Sequence, residues 1–118
     1  MREPIRDKER LMHIKGFIER IQKYTIGLSF EKMQENELIY YGIVKNIEMI
    51  GEAVYMLSKE FKESHADLPW KNIEGMRHVL VHDHYQIQPI RVWEVVVTDL
   101  EPLRIKIDSY LDECVKQQ

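Results

Sequence analysis

The chain has a single cysteine, Cys114, in 118 residues, so no disulfide can form within it and its stability must come from packing. Nothing in that count points to an oxidising compartment, and the expected location is the cytoplasm. Basic charge is also in short supply. Seventeen Lys and Arg stand against twenty Asp and Glu, a formal charge of -3. A protein held to nucleic acid by a broad surface needs many cations neutralising phosphates together, so any contact with RNA is expected to be local. Long apolar runs are missing too. No window approaches the roughly 20 residues of a membrane span, and Arg2, Glu3, Arg6, Asp7, Lys8 and Glu9 are charged where a secretory leader would be apolar. The expectation is a soluble, unprocessed protein with no membrane partner. Five Gly and four Pro leave few breaks, and neither low-complexity segments nor internal repeats are found. What is there is 44% hydrophobic and 31% charged, a balance that suits one compact helical domain over residues 1–118.

Apolar residues recur at three- and four-residue steps through most of the chain. Leu11, Ile14, Phe17, Ile18, Ile21 and Tyr24 line one side of a first helix from Ile5 to Tyr24. Gly27 and Ser29 interrupt it; Ser29 is placed to cap a short helical turn through Met33, and Asn36 to cap the helix after that turn. This second helix is the longest. Leu38, Tyr41, Val44, Ile47, Ile50, Val54, Leu57 and Phe61 keep helical spacing for about six turns, with Gly51 and Ala53 as small residues where another backbone can approach. Ser64 to Pro69 reads as a turn, and Pro69 opens a shorter helix through Trp70, Ile73, Met76 and Leu80. Val79, Leu80 and Val81 would suit a strand, but they continue this helical repeat and no partner strand exists, so they are read as helical. After a break at Gln86 to Pro89, the residues Trp93, Val96, Leu100, Leu103, Ile107, Tyr110 and Cys114 mark a final helix that Pro102 should kink or divide. The simplest packing is all-α, an antiparallel bundle of four to five helices.

The densest chemistry lies between Gly75 and Tyr85, where Arg77, His78, His82, His84 and Tyr85 fall close together. Arginine stays protonated and presents a planar fork that matches phosphate oxygens, while histidine exchanges protons near neutrality. Arg77 and His82 would stand roughly 140° apart on an ideal helix, so the helix must end, bend or dimerise for them to cooperate. Two reactive readings are open. In one, an imidazole takes the proton of an RNA 2′-hydroxyl or protonates the leaving 5′ oxygen, and the arginine stabilises charge on the phosphate without a metal. In the other, His78, His82, His84 and Asp83 hold a divalent ion, although Val79 removes the glutamate that comes after the first histidine in metalloproteases. The ordinary alternative is that arginine and histidine gather near a helix C-terminus because the dipole and unpartnered carbonyls favour them there. Glu52, set within Ile50-Gly51-Glu52-Ala53, must face solvent, a partner or a basic group such as Arg77.

Ile47 with Ile50-Gly51-Glu52-Ala53, the Arg-x4-His spacing of Arg77 and His82, and Trp93 with Asp99-Leu100-Glu101-Pro102-Leu103 together resemble the HepT-like proteins, also called the DUF86 family, of the HEPN superfamily. The resemblance runs over nearly the whole chain. It implies a HEPN-like helical bundle that dimerises so that two Arg/His pairs meet in a cleft. It also implies a metal-independent endoribonuclease with no cofactor, acting as the toxin of a type VII-like toxin–antitoxin pair whose antitoxin is a nucleotidyltransferase. By that comparison Arg77 and His82 are catalytic and His78 supports them; His84, as a second imidazole in the cleft, and Glu52 are further candidates for a supporting role. The family pattern continues to Arg-x4-His-x-Tyr, the tyrosine being where the antitoxin adds AMP. Here position 84 is His and Tyr85 comes one residue later, so modification is expected, if anywhere, at Tyr85. The alternative function is a non-catalytic module that binds a nucleotidyltransferase, or presents nucleotide to it, through the same cleft.

Overall fold

The computed structural model describes residues 2–75 and 88–116, and the regular structure of these residues is all helical. In chain order the elements are α1 (Arg2–Thr25), α2 (Phe30–Glu35), α3 (Glu37–Tyr55), α4 (Lys59–Ser64), the helical residues 70–75 (α5), and α6 (Pro89–Glu94). A π-helical turn (Val95–Asp99) then leads directly into α7 (Leu100–Lys116).

Helix α1 packs against both α3 and α7. Polar contacts show that it runs antiparallel to each. Lys15 meets Asp108 and Gln22 meets Glu101, both at 2.8 Å, so α1 and α7 advance in opposite directions. Likewise Asp7 reaches Ser58, just beyond the end of α3, while Arg20 reaches Asn46 near its middle. The repeat that predicts α1 is what it buries. Leu11, Ile14, Ile18 and Ile21 are fully enclosed in one cluster with Ile43, Ile47, Ile50 and Val54 of α3 and Leu100, Leu103 and Ile107 of α7. Each enclosed aliphatic side chain contributes about 1.5–3 kcal/mol relative to exposure, which makes this seam the chief source of stability.

The connections reflect the local chemistry. Gly27 takes φ +69, the left-handed conformation that a side chain opposes, and ends the run of α1. Ser29 caps α2 by accepting the Lys32 N–H at 3.1 Å, and Asn36 caps α3 by accepting that of Ile39 at 3.2 Å. Both caps stand where the sequence places them.

The long second helix differs from expectation at both ends. Leu38 and Tyr41, counted in its apolar stripe, are 86% and 62% exposed. At the other end α3 stops at Tyr55, and Leu57 and Phe61 belong to a separate turn and helix. Ser58 makes the division. Its hydroxyl accepts the Phe61 N–H at 3.1 Å and donates to Asp7 Oδ2 at 2.6 Å, while its own N–H donates to Asp7 Oδ1 at 2.8 Å. Asp7 is itself buried, so a carboxylate 51 positions away overrides the local periodicity.

Pro102 stands in the first turn of α7, and the division it was expected to cause appears upstream. In the π turn the Leu100 N–H bonds to the Val95 carbonyl, a wider loop than an α-helix makes. That widening relieves the collision between the proline ring and the turn before it. Among the described residues no helix is long and apolar enough to cross a membrane, and no buried side-chain polar atom lacks a hydrogen bond.

Replacing Asp7 by alanine strands the Ser58 N–H at the junction of α3 and α4, and is expected to cost about 1–3 kcal/mol. Urea denaturation of Asp7→Ala measures this, and an unchanged midpoint would contradict the account of the break.

Candidate functional site

Arg77, His78, His82, His84 and Tyr85, together with Asp83 of the metal reading and the helical reading of Val79 to Val81, lie outside the described residues. The structure describes the ground on either side. Before the segment, Trp70 and Ile73 of α5 are buried in the core. After it, Pro89 opens α6, Val92 is buried, and the Trp93 ring lies 6.4 Å from that of Phe30 on α2. Both flanks of the Arg-x4-His segment are thus tied to the same core.

The turn that leads into α5 is the more elaborately held. His65 stacks on Phe61 at 4.0 Å and meets Tyr110 edge-on at 4.5 Å. Its ring nitrogens stand 3.0 Å from the Phe61 carbonyl and 3.2 Å from the Glu113 carboxylate, and its own carbonyl accepts the Trp70 indole N–H at 2.8 Å. Asp67 accepts hydrogen bonds of 2.6 Å from both Lys106 and Tyr110. The Lys106 bond, with that of Tyr110, holds the Asp67 carboxyl down at about 2. Burial, reinforced by the Asp67 bond, pushes the Tyr110 phenol up. A second carboxyl, Glu101, is held at about 2 by Arg104 and Gln22. Lys62 of α4 meets Glu74 of α5 at 2.6 Å, with both side chains largely enclosed.

Glu52 is exposed on α3 between buried Gly51 and Ala53. His65, with its nitrogens turned to the Phe61 carbonyl and Glu113, serves the turn; His13 is exposed on α1 beside Phe17. A surface depression along α2 and the turns on either side of it is lined by Leu28, Lys32, Glu35, Asn36 and Glu37. Two carboxylates against one cation, with no imidazole, do not suit a polyanion. Among the described residues no group of His, Cys, Asp or Glu side chains gathers as a metal site. Sequence reasoning missed Asp7, Lys62, Glu74 and Asp67, whose partners lie far away in the chain and leave no local pattern.

Comparison with known proteins gives concordant matches. The profile of the Ribonuclease HepT-like family matches residues 14–110. The chain is 33% identical over 103 residues to Putative RNase TTE0752 of Caldanaerobacter subterraneus subsp. tengcongensis, covering 87% of this chain and 88% of that protein. It is 28% identical over 102 residues to Probable ribonuclease HepT of Thermococcus cleftensis, covering 86% and 93%. Putative RNase MJ0125 of Methanocaldococcus jannaschii is 27% identical over 111 residues, with 93% and 96% covered. No solved structure matches the chain significantly.

Asp67 and Glu101 titrate near 2 in the folded chain against ordinary values of 3.8 and 4.5. Lowered carboxyl values stabilise the fold above the ordinary range, and that contribution is lost as pH falls toward about 2. The melting temperature should therefore drop across this window, and less steeply in Asp67→Asn/Glu101→Gln. Equal drops in the two proteins would contradict the assignment.

Proposed function

The chain belongs to the HepT-like ribonuclease family, and on that premise we propose that it is a metal-independent endoribonuclease in which Arg77 and His82 cleave RNA at a cleft between two copies of the chain. The observation that carries this reading is the family match over residues 14–110, which spans Arg77 and His82. The relatives named as RNases or ribonucleases support the same class of activity.

The chemistry comes from the two side chains. The His82 imidazole accepts the proton of an RNA 2′-hydroxyl, the 2′ oxygen attacks phosphorus, and the bond from phosphorus to the 5′ oxygen breaks. The departing 5′ oxygen takes a proton from an imidazolium, and the 2′ and 3′ oxygens are left joined in a cyclic phosphate. Arg77 donates hydrogen bonds to the phosphate oxygens as their charge grows. His78 and His84 contribute donors beside the reacting phosphate, with Glu52 of α3 as a further supporting residue.

Two copies are needed for two Arg/His pairs, and the exposed face of α3 supports self-pairing. Leu38, Tyr41, Tyr55 and Met56 are 86%, 62%, 52% and 47% exposed there, an apolar stripe that a second copy can cover. A second copy laid antiparallel along this face sets Tyr41 against Tyr55 and Lys45 against Glu52, a self-complementary arrangement of apolar and opposite charges. In the cell, we propose, the ribonuclease acts in the cytoplasm as a toxin held silent by a nucleotidyltransferase antitoxin, with Tyr85 as the residue that receives AMP. His84, at the position where the family carries that tyrosine, is the feature that favours the second reading, a nucleotidyltransferase-binding module without cleavage.

Labelled RNA incubated in EDTA is expected to be cut by the wild type and not by His82→Ala or Arg77→Ala. Equal cutting by all three would remove the assignment, and an inert wild type that binds a nucleotidyltransferase tightly would establish the second reading. Sedimentation tests the pairing separately: Lys45→Glu should shift dimer toward monomer and Lys45→Glu/Glu52→Lys should restore the dimer, whereas identical behaviour of the three proteins would rule out this face.

A further inference from the structure

Lys62 bridges three helices. Its backbone belongs to α4, its Nζ donates to Glu74 Oε1 of α5 at 2.6 Å, and the same nitrogen stands 3.5 Å from the Tyr55 carbonyl at the end of α3. The side chains are only 20% and 23% exposed. By contrast the Lys45 and Glu48 pair on α3 is longer, at 3.5 Å, with the lysine 64% exposed. An enclosed pair is screened less than a surface pair and holds its partners in one geometry.

The placement of this pair gives it a consequence beyond stability. Glu74 precedes Arg77 by three residues. Trp70 and Ile73 fix how deeply α5 sits in the core, and the Trp70 indole bond to the His65 carbonyl ties its first residue, but the apolar contact at Ile73 is non-directional and leaves the later residues of α5 free to rotate about that tie. A 2.6 Å charge-assisted bond does not tolerate that rotation. The Tyr55 carbonyl, at the negative end of α3, draws the same ammonium toward the helix that carries Glu52.

We propose that Lys62 and Glu74 are positioning residues for the Arg77 and His82 site: by referring α5 to the ends of α3 and α4, they set the point from which the chain delivers Arg77. This inference rests on the ribonuclease reading above. A displacement of about 1 Å in a reacting group can cost on the order of a hundredfold in rate, so the pair does not have to touch RNA to control cleavage.

The test compares the full chain with Lys62→Met, Glu74→Gln and the exchanged pair Lys62→Glu/Glu74→Lys. Each single variant is expected to lose roughly tenfold or more in kcat with KM unchanged, and the exchanged pair to recover part of it, since the exchange restores the bridge to α5 but not the attraction to the Tyr55 carbonyl. Hydrogen exchange gives a second readout that does not need cleavage. Amides of residues 76–87 should exchange faster in the single variants and return toward the wild-type rate in the exchanged pair, while those of α1 and α7 stay as they are. Single variants with wild-type kcat and unchanged exchange would overturn the proposal, as would faster exchange spread equally over α1 and α7. An inert wild type defeats the ribonuclease reading instead, and the exchange pattern then decides the positioning claim by itself.

Discussion

The antiparallel seam between α1 and α3 is the constraint on which the other features depend. Leu11, Ile14, Ile18 and Ile21 share a cluster with Ile43, Ile47, Ile50 and Val54, and their removal from water is the dominant favourable contribution to folding. Helix α7 adds Leu100, Leu103 and Ile107 to the same cluster. Because α1 serves both neighbours, it carries an apolar face to each side, while Leu38 and Tyr41 of α3 remain exposed.

Apolar packing fixes proximity, and directional polar contacts fix register. Asp7 ends α3 by capturing the N–H and hydroxyl of Ser58. Asn46, buried on α3, donates to the Gly42 carbonyl at 2.7 Å and faces Arg20 of α1 at 3.5 Å. Across the other side of the bundle, Arg104 joins Glu101 and Asp108, and Lys15 shares Asp108 with it. The aromatic group of Phe61, His65, Trp70 and Tyr110, tied by Asp67 and Lys106, then carries this order into the turn ahead of α5. A chain of unique contacts thus leads from the core to the threshold of the Arg-x4-His segment.

How much of this can be read from the sequence depends on the range of the interaction. Ser29 and Asn36 act within three residues of themselves, and both caps appear where the sequence puts them. The apolar repeats of α1 and α7 are likewise local, and the all-α fold results from them. The end of α3 does not, because Leu57 and Phe61 continue its periodicity while the carboxylate that breaks the helix is Asp7. Pro102 announces a disturbance, but its relief by a π turn at Val95–Asp99 depends on how the preceding residues rewind. For the site, the sequence supplies the chemistry of Arg77 and His82. It is silent on Lys62 and Glu74, whose significance appears only when α4 and α5 are seen side by side.

A permanent cation and a titratable imidazole on one segment, with flanks anchored in a helical core, form the basis of the proposed activity. No further reagent is required for that route, since the nucleophile belongs to the RNA itself. The products carry its signature. Mass spectrometry of the RNA ends left by the purified protein is the most direct measurement: the account predicts a 2′,3′-cyclic phosphate on one fragment and a 5′-hydroxyl on the other, and fragments ending in a 3′-hydroxyl and a 5′-phosphate would contradict it.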